Sequence, residues 1–526
     1  MRTNVLLALT LVVGLLAPPG GQQAGAEPLN PFRYLTDEQG RALVLHGLNN
    51  GHSSKESVDA MPWTGREDIA AEAHRLGSNA VRLLMFWAKV EPAPGRYDES
   101  YLSALAERAR WYGEQGMHVI LDMHQDTWGP AVAGHSPNNG APEWATFFDG
   151  LPATSRQPWE LTYLEPGVIR AFDHFWGTTG KHPELRQRFA AMWRHVAQRF
   201  AREPAILAYD LFNEPFGGTS VWPWFERHRL TPFYQEVIAA IREVDQHRWI
   251  VVEPQALGGN WGWTSTLGTL DDPRPGESRL VYSPHLYPIL VTVGQPYTGA
   301  TRSLTRAVLE KWRRANQEVA RRLDAPLLLG EFGLNATVPG ALDYVDDVTA
   351  MTDRMGIGWL YWSNDPGGWG PYAPPLGDGR SEHRQQQGAQ RSPETSNPTL
   401  LGDGRSEHRH AATRRAAKPG DEQSNEGGWA PLADHLARPY PRAIAGEPVR
   451  WGFADGTLKI EFRTKSGVAG PTELFLPRGA FPATPTVNCS TPCEVSWDGG
   501  RRVAAVHLGE PTTPGIPVTI TARGER

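Results

Sequence analysis

Ala205-Ile206-Leu207-Ala208-Tyr209-Asp210-Leu211-Phe212-Asn213-Glu214-Pro215 is an apolar run that stops in Asn-Glu-Pro. Ala205 to Phe212 has the length of a buried strand, and Pro215 lacks the N–H needed to continue a ladder. Glu214 is thereby placed at the C-terminal tip of a strand, with Asn213 beside it. A carboxylate there is out of place in a core. It is well placed for chemistry if the strand belongs to a barrel of parallel strands.

The rest of the chain supplies such a barrel. Further strand-like runs are Val44 to Asn49, Ala80 to Phe86, His118 to Met123, Trp249 to Val252, Leu280 to Tyr282, Leu327 to Leu329 and Gly358 to Tyr361. Helical stretches or long loops separate them. Leu185, Phe189, Met192, Val196 and Phe200 recur at the three-four spacing of an amphipathic helix, and Thr305 to Leu323 is rich in good helix formers. Eight strands alternating with helices predict an α/β fold, a (β/α)8 TIM barrel. No Gly-rich nucleotide fingerprint follows any of them, which disfavours an open doubly wound sheet.

Outside the barrel the texture changes twice. Residues from about 376 to 427 are polar and nearly free of large apolar side chains. Within them Leu376 to Arg384 recurs letter for letter at Leu401 to Arg409, so a duplicated, disordered insertion is expected. From 442 to 526 short alternating runs separated by turns predict a small antiparallel β-sandwich. Cys489 and Cys493, the chain's 2 cysteines, are expected to close a disulfide there.

Arg2, the apolar Val5 to Leu16 and Ala24-Gly25-Ala26 have the form of a signal peptide, with cleavage expected after Ala26 and secretion as the consequence. The expected organisation is thus 1–26 leader, 27–441 catalytic barrel with its insertion, and 442–526 sandwich. No later stretch is long and apolar enough for a transmembrane segment. A formal net charge of -6 over 526 residues points to neither nucleic acid nor an anionic surface. The 20 tryptophans suit a groove for sugars or lipid. A monomer is expected.

In a parallel barrel, function gathers at the C-terminal strand ends. Those positions carry Arg82 and Trp87, Asp122-Met123-His124-Gln125-Asp126, Asn213-Glu214, Glu253, His285 with Tyr287, Glu331 and Trp362; Lys55 lies in the loop after the first strand. Singly each has an ordinary structural explanation, but polar and aromatic groups at one end of seven strands are hard to explain by packing. Two carboxylates across a sugar-sized cleft are the machinery of glycoside hydrolysis. Glu214 and Glu331 are the natural pair. Glu253, followed by proline, is assigned to a turn rather than a primary role.

These residues resemble glycoside hydrolase family 5: Asn213-Glu214-Pro215, Glu331 in Gly-Glu-Phe-Gly, Arg82, His124, Tyr287 and Trp362. The resemblance implies a retaining barrel glycosidase with Glu214 as acid/base and Glu331 as nucleophile. Asn213 would bind the sugar 2-hydroxyl, and Tyr287 would orient the nucleophile. Leu121 to Asp126, Ala171 to Trp176, Tyr209 to Gly218 and Arg438 to Ala443 look more narrowly like endoglycoceramidases, endogalactosylceramidase-like members included. That likeness implies cleavage between oligosaccharide and ceramide of a glycosphingolipid held in micelles or at a membrane surface, with no cofactor or metal. Lys55, Asp122, His124, Asp126, Trp159, Asn213, Tyr287 and Trp362 would line the glycan pocket, with Arg82 and His285 as support. The loops Gly258 to Trp263 and Gly367 to Tyr372 are candidate walls for an apolar aglycone. The alternatives are a family 5 endoglycanase on β-glucan or β-mannan, and a catalytically silent glycolipid-binding protein.

Overall fold

The computed structural model describes residues 33–133, 136–157, 159–373, 428–509 and 513–524. The expected leader at 1–26 and insertion at 376–427 lie outside them. Eight parallel strands form one sheet: β2 (His46–Asn49), β3 (Ala80–Met85), β4 (His118–Met123), β5 (Ile206–Asp210), β6 (Trp249–Val252), β7 (Leu280–Tyr282), β8 (Leu328–Phe332) and β9 (Gly358–Tyr361). β2 pairs with both β3 and β9, and the bridges Tyr282↔Leu327 and Leu286↔Phe332 join β7 to β8. The ring is thus nearly closed, as a (β/α)8 barrel requires.

Alternation along the strands sorts the side chains. Ala80, Ile120, Ala208, Val251, Leu328 and Leu360 fill the barrel interior. Val81, Leu121, Tyr209 and Val252 point outward and pack under the helices. Helix Glu184–Phe200 buries the expected stripe of Leu185, Phe189, Met192, Val196 and Phe200. Asp98 starts helix Glu99–Glu114 by accepting from the N–H groups of Ser100 and Tyr101. The strand ends next to the expected catalytic pair shift. β5 stops at Asp210, so Glu214 lies four residues beyond it; β8 runs on to Phe332, so Glu331 sits within a strand, where the register to β9 slips between Leu329 and Phe332.

The C-terminal region is a sandwich. Strands β10 (Tyr440–Ile444), β13 (Thr472–Phe475), β16 (Val503–Leu508) and β15 (Cys493–Asp498) form one sheet with β1 (Ala42–Leu43) at its edge. Strands β11 (Glu447–Ala454), β12 (Thr457–Arg463), β17 (Pro517–Arg523) and β14 (Thr486–Cys489) form the other. Tyr440, Ile444 and Leu474 from one meet Leu458, Ile460, Phe462 and Ile520 from the other in a core of their own. The Cys489–Cys493 disulfide links β14 to β15 and so ties the two sheets together. The division expected at 441/442 falls inside β10, and the sandwich borrows β1 from the N-terminal side.

The sandwich sits at the barrel's N-terminal end. The hydroxyl of Tyr440 and a guanidinium N–H of Arg442 both donate to the Gly77 carbonyl at 2.7 Å, just ahead of β3. His46, at the start of β2, stacks on Tyr440 and Trp359 with ring centroids 3.8 and 4.4 Å apart. This leaves the opposite, C-terminal mouth to the loops.

Candidate active site

Arg82 organises the mouth. It leaves β3 inward, is 1% exposed, and is tied to both adjacent strands, to Asn49 on β2 and to Asp122 on β4. Its Nε donates to Asp210 at 2.8 Å, Nη1 to Glu331 at 2.6 Å and Asn49 at 3.2 Å, and Nη2 to Asn213 and Glu253, each at 2.9 Å. Asp122 lies 2.8 Å from Nη2 as a fourth ionic partner. The four carboxylates hold the guanidinium pKa well above its ordinary value against the opposing effect of burial. Burial, reinforced by the Glu253 charge, also raises the pKa of Asp210, well above the usual carboxylate range. Removing Arg82 would leave buried charges unpaired, at about 3–5 kcal/mol.

The two proposed catalytic carboxylates meet beside this hub. One oxygen of Glu214, one of Glu331 and a ring nitrogen of His285 all lie within 4.8 Å of one another. Glu331 accepts from Arg82 on one oxygen and from the Tyr287 hydroxyl on the other, at 2.9 Å. Glu214 Oε1 accepts from Asn260 at 2.9 Å and faces His285 Nδ1 at 3.0 Å. His285 Nδ1 is also 3.6 Å from Glu331, and its Nε2 is 3.3 Å from Glu253. Glu214, His285 and Glu331 are close enough to share a cation, yet Arg82 already supplies positive charge at that point.

The titration of these groups follows from the same contacts. Burial disfavours the His285 cation, but Glu253, Glu331 and Glu214 outweigh it and raise its pKa well above 6.5. Burial raises Glu331, with His285 and Arg82 opposing. Glu214 is buried too, yet its hydrogen bond to His285 and that ring's charge bring it below the ordinary value.

Glu214 has a left-handed backbone, φ +46°. A non-glycine residue in that region costs about 1–3 kcal/mol unless its surroundings fix it. Its N–H donates to Glu253 Oε2 at 2.8 Å, and its carbonyl accepts from Gln125 Nε2 at 3.1 Å. Asn213 is anchored through its amide, which donates to the Gln125 carbonyl at 2.9 Å.

On the other flank, Lys55 Nζ meets Asp126 at 2.5 Å and lies 4.7 Å over the Trp362 ring. His124 pairs with Asp122 at 2.7 Å and stacks on Trp362 at 5.4 Å. Burial opposes the charge on Asp126, but Lys55 and His124 hold its carboxyl far below the usual range. An ionic ladder beside a flat indole suits sugar hydroxyls and a sugar face.

Thus the structure gathers Lys55, Arg82, Asp122, His124, Asp126, Asn213, Glu214, His285, Tyr287, Glu331 and Trp362. Trp159 lies at the rim of this set. It is 40% exposed in the 3-10 turn Trp159–Leu164, and among the described ring contacts it meets Tyr163 at 6.2 Å. That turn still borders the mouth, since the Glu214 charge reaches Glu160 and Tyr163. The sequence assigns no role of their own to Asn260 and Gln125, and it reads Glu253 as a turn residue. Glu253 is instead 2% exposed and inside the cluster. The sequence did hold a signal: Trp249 and Val251 point inward, and Glu253 is the next position in that alternation.

An aromatic wall leads outward from Glu214. Beyond Asn260, Trp261 and Trp263 meet edge to face at 6.3 Å, and Trp222 meets Trp263 at 5.6 Å. Val221 and Trp224, 65% and 62% exposed, extend that wall into solvent.

Comparison with known proteins fits this geometry. Residues 36–368 match the family model for Cellulase (glycosyl hydrolase family 5), and residues 438–521 match the glycoside hydrolase family 5 C-terminal domain. Endo-glycoceramidase II from Rhodococcus sp., solved in complex with ganglioside GM3, is 40% identical with a TM-score of 0.80, over 94% of this chain and 100% of that one. The lactosyl-enzyme intermediate of that protein aligns at the same identity and coverage with a TM-score of 0.78. Endoglycoceramidase I of Rhodococcus hoagii (strain 103S) is 25% identical over 488 residues, 90% of this chain and 85% of the relative.

Proposed function

Because the chain belongs to glycoside hydrolase family 5, we propose that it hydrolyses glycosphingolipids between glycan and ceramide, with retention of anomeric configuration. The observation that carries the retaining chemistry is the approach of Glu214 and Glu331 oxygens to within 4.8 Å. Retaining pairs stand about 5–5.5 Å apart, whereas inverting pairs need about 6.5–9.5 Å to admit a water.

Roles follow from the partners. Glu331, steadied by Arg82 and Tyr287, attacks the anomeric carbon and forms a glycosyl ester as the bond to the ceramide oxygen breaks. Glu214 protonates that oxygen. His285, whose pKa the surrounding carboxylates raise, lies 3.0 Å from Glu214 Oε1 and is placed to hand it the proton that arms the acid. Glu214, again a carboxylate, then takes a proton from water, which attacks the ester and frees Glu331. Asn213, fixed by Arg82 and Gln125, stands beside Glu214 to bind the sugar 2-hydroxyl.

The substrate class is supported by two things. The 40% identical Rhodococcus enzyme has been seen with a ganglioside and as a lactosyl-enzyme intermediate. Here the Lys55–Asp126 pair offers polar groups to a glycan, and Trp261, next in sequence to the Asn260 that donates to Glu214, belongs with Trp263 and Trp222 to an aromatic cluster suited to an apolar leaving group. No helix among the described residues is long and apolar enough to cross a membrane, so lipid is to be met in micelles or at a membrane surface. Export is proposed as well, in keeping with the Cys489–Cys493 disulfide; protein recovered from the medium should begin at Glu27.

Incubation with a glycosphingolipid panel and with soluble β-glucan and β-mannan tests the substrate. Release of intact oligosaccharide plus ceramide is expected. Cleavage of the polysaccharides alone would favour the endoglycanase reading.

A further inference from the structure

We propose that Glu253 is a positioning residue for the acid/base carboxylate: one of its oxygens fixes the left-handed turn that carries Glu214, and the other holds the cations that serve it. The proposal rests on the reading of Glu214 as the acid/base.

β5 ends at Asp210, so the segment carrying Glu214 has left the ladder and its N–H must find an acceptor elsewhere. Glu253 Oε2 is that acceptor, at 2.8 Å. The peptide on the other side of the residue is held by Gln125. Between these two clamps Glu214 keeps φ at +46°, which aims its carboxyl at His285 Nδ1 and Asn260 rather than along the strand. Glu253 Oε1 meanwhile lies 2.9 Å from Arg82 Nη2 and 3.3 Å from His285 Nε2. His285 therefore presents one nitrogen to Glu253 and the other to Glu214.

Glu253 is itself fixed. The Tyr234 hydroxyl donates to its carbonyl at 2.9 Å and accepts from its N–H at 3.2 Å, and Glu226 accepts from Gln255 N–H two residues on at 3.0 Å. A turn residue would need none of this. Glutamine could keep one acceptor for the Glu214 N–H, but it cannot also offer an anion to both Arg82 and His285.

The test uses leaving groups of different need. Departing ceramide must be protonated, whereas dinitrophenolate leaves without a proton. E253Q and E253A are compared with wild type on lactosylceramide and on 2,4-dinitrophenyl β-lactoside, with E214A run beside them. On lactosylceramide kcat/KM, which reports the step that breaks the bond to ceramide, should fall about 10-fold in E253Q and about 100-fold in E253A, within the range for loss of an acid catalyst. On the dinitrophenyl substrate kcat/KM should stay within about 3-fold of wild type in both. Equal losses on the two substrates, as a merely structural residue would give, overturn the proposal, and so does the absence of loss on lactosylceramide. E253Q carries the test should E253A fail to fold. If E214A shows no dependence on leaving group, the acid/base reading falls and the proposal with it. If E214A shows that dependence and the Glu253 variants do not, only the proposal falls.

Discussion

Replacing Glu72 with glutamine is expected to stabilise the protein at neutral pH. Glu72 lies on helix Arg66–Arg75 with 0% exposure, and neither carboxyl oxygen has a hydrogen-bond partner of good geometry among the described residues. Burial pushes its pKa from 4.5 up to about 8, with only the Ser78 and Tyr372 hydroxyls pulling the other way. Below pH 4.5 the folded and unfolded chains both hold the proton, and the group leaves stability unchanged with pH. Between 4.5 and 8 the unfolded chain releases the proton and the folded one keeps it. Stability then falls by about 1.4 kcal/mol per pH unit, which comes to about 3 kcal/mol at pH 7, and the loss levels off above 8. Glutamine has the shape of the protonated acid and nothing to release. Urea or thermal unfolding of wild type and E72Q at pH 5, 6, 7 and 8 should therefore show a gap that is small at pH 5 and widens with pH in favour of the variant. Parallel curves would refute the reasoning. Glu72 lies under Tyr372, which stacks on Trp429 at 4.5 Å where residues 373 and 428 come together, so the effect bears on the support of the mouth.

Three further outcomes follow from the site. His285 is held above 6.5, so its proton persists through neutrality and is lost as pH rises through the raised value; His285→Gln should lower kcat by about 10²–10³-fold and move the alkaline limb of the kcat/KM profile to lower pH. Glu331 is raised above 4.5, so the acid limb, where the nucleophile gains a proton, should lie above that value in the wild type. Lys55→Met removes the partner of Asp126 and the cation over Trp362 on the glycan side; steady-state kinetics should show KM up about 10-fold with kcat within about 3-fold.

Much of this was legible because barrels repeat a simple rule. β4, β6, β7 and β9 begin and end where the apolar runs do, and the polar residues beyond them face one mouth. Glu214 and Glu331 could be paired from their strand ends alone. The geometry that makes them a pair could not: Glu214 depends on a left-handed turn four residues past β5, and Glu331 on a register slip inside β8. Both are settled by contacts distant in sequence, such as Glu253 to the Glu214 N–H across 39 positions. Glu253 was set aside because Pro254 follows it, although its place in the inward alternation of β6 was readable. Trp159 suits a sugar platform by residue type, and the short turn that carries it sets it against Tyr163 at the edge of the mouth.

The central claim, a covalent intermediate on Glu331 formed with help from Glu214, is tested most directly by trapping it. Incubation with 2,4-dinitrophenyl 2-deoxy-2-fluoro-β-lactoside, followed by intact-mass measurement and peptide mapping, should show one 2-fluorolactosyl group per chain, on the peptide carrying Glu331 and at that side chain. A label on Glu214 or Glu253, or inactivation-free turnover with no adduct at any dose, would contradict the account.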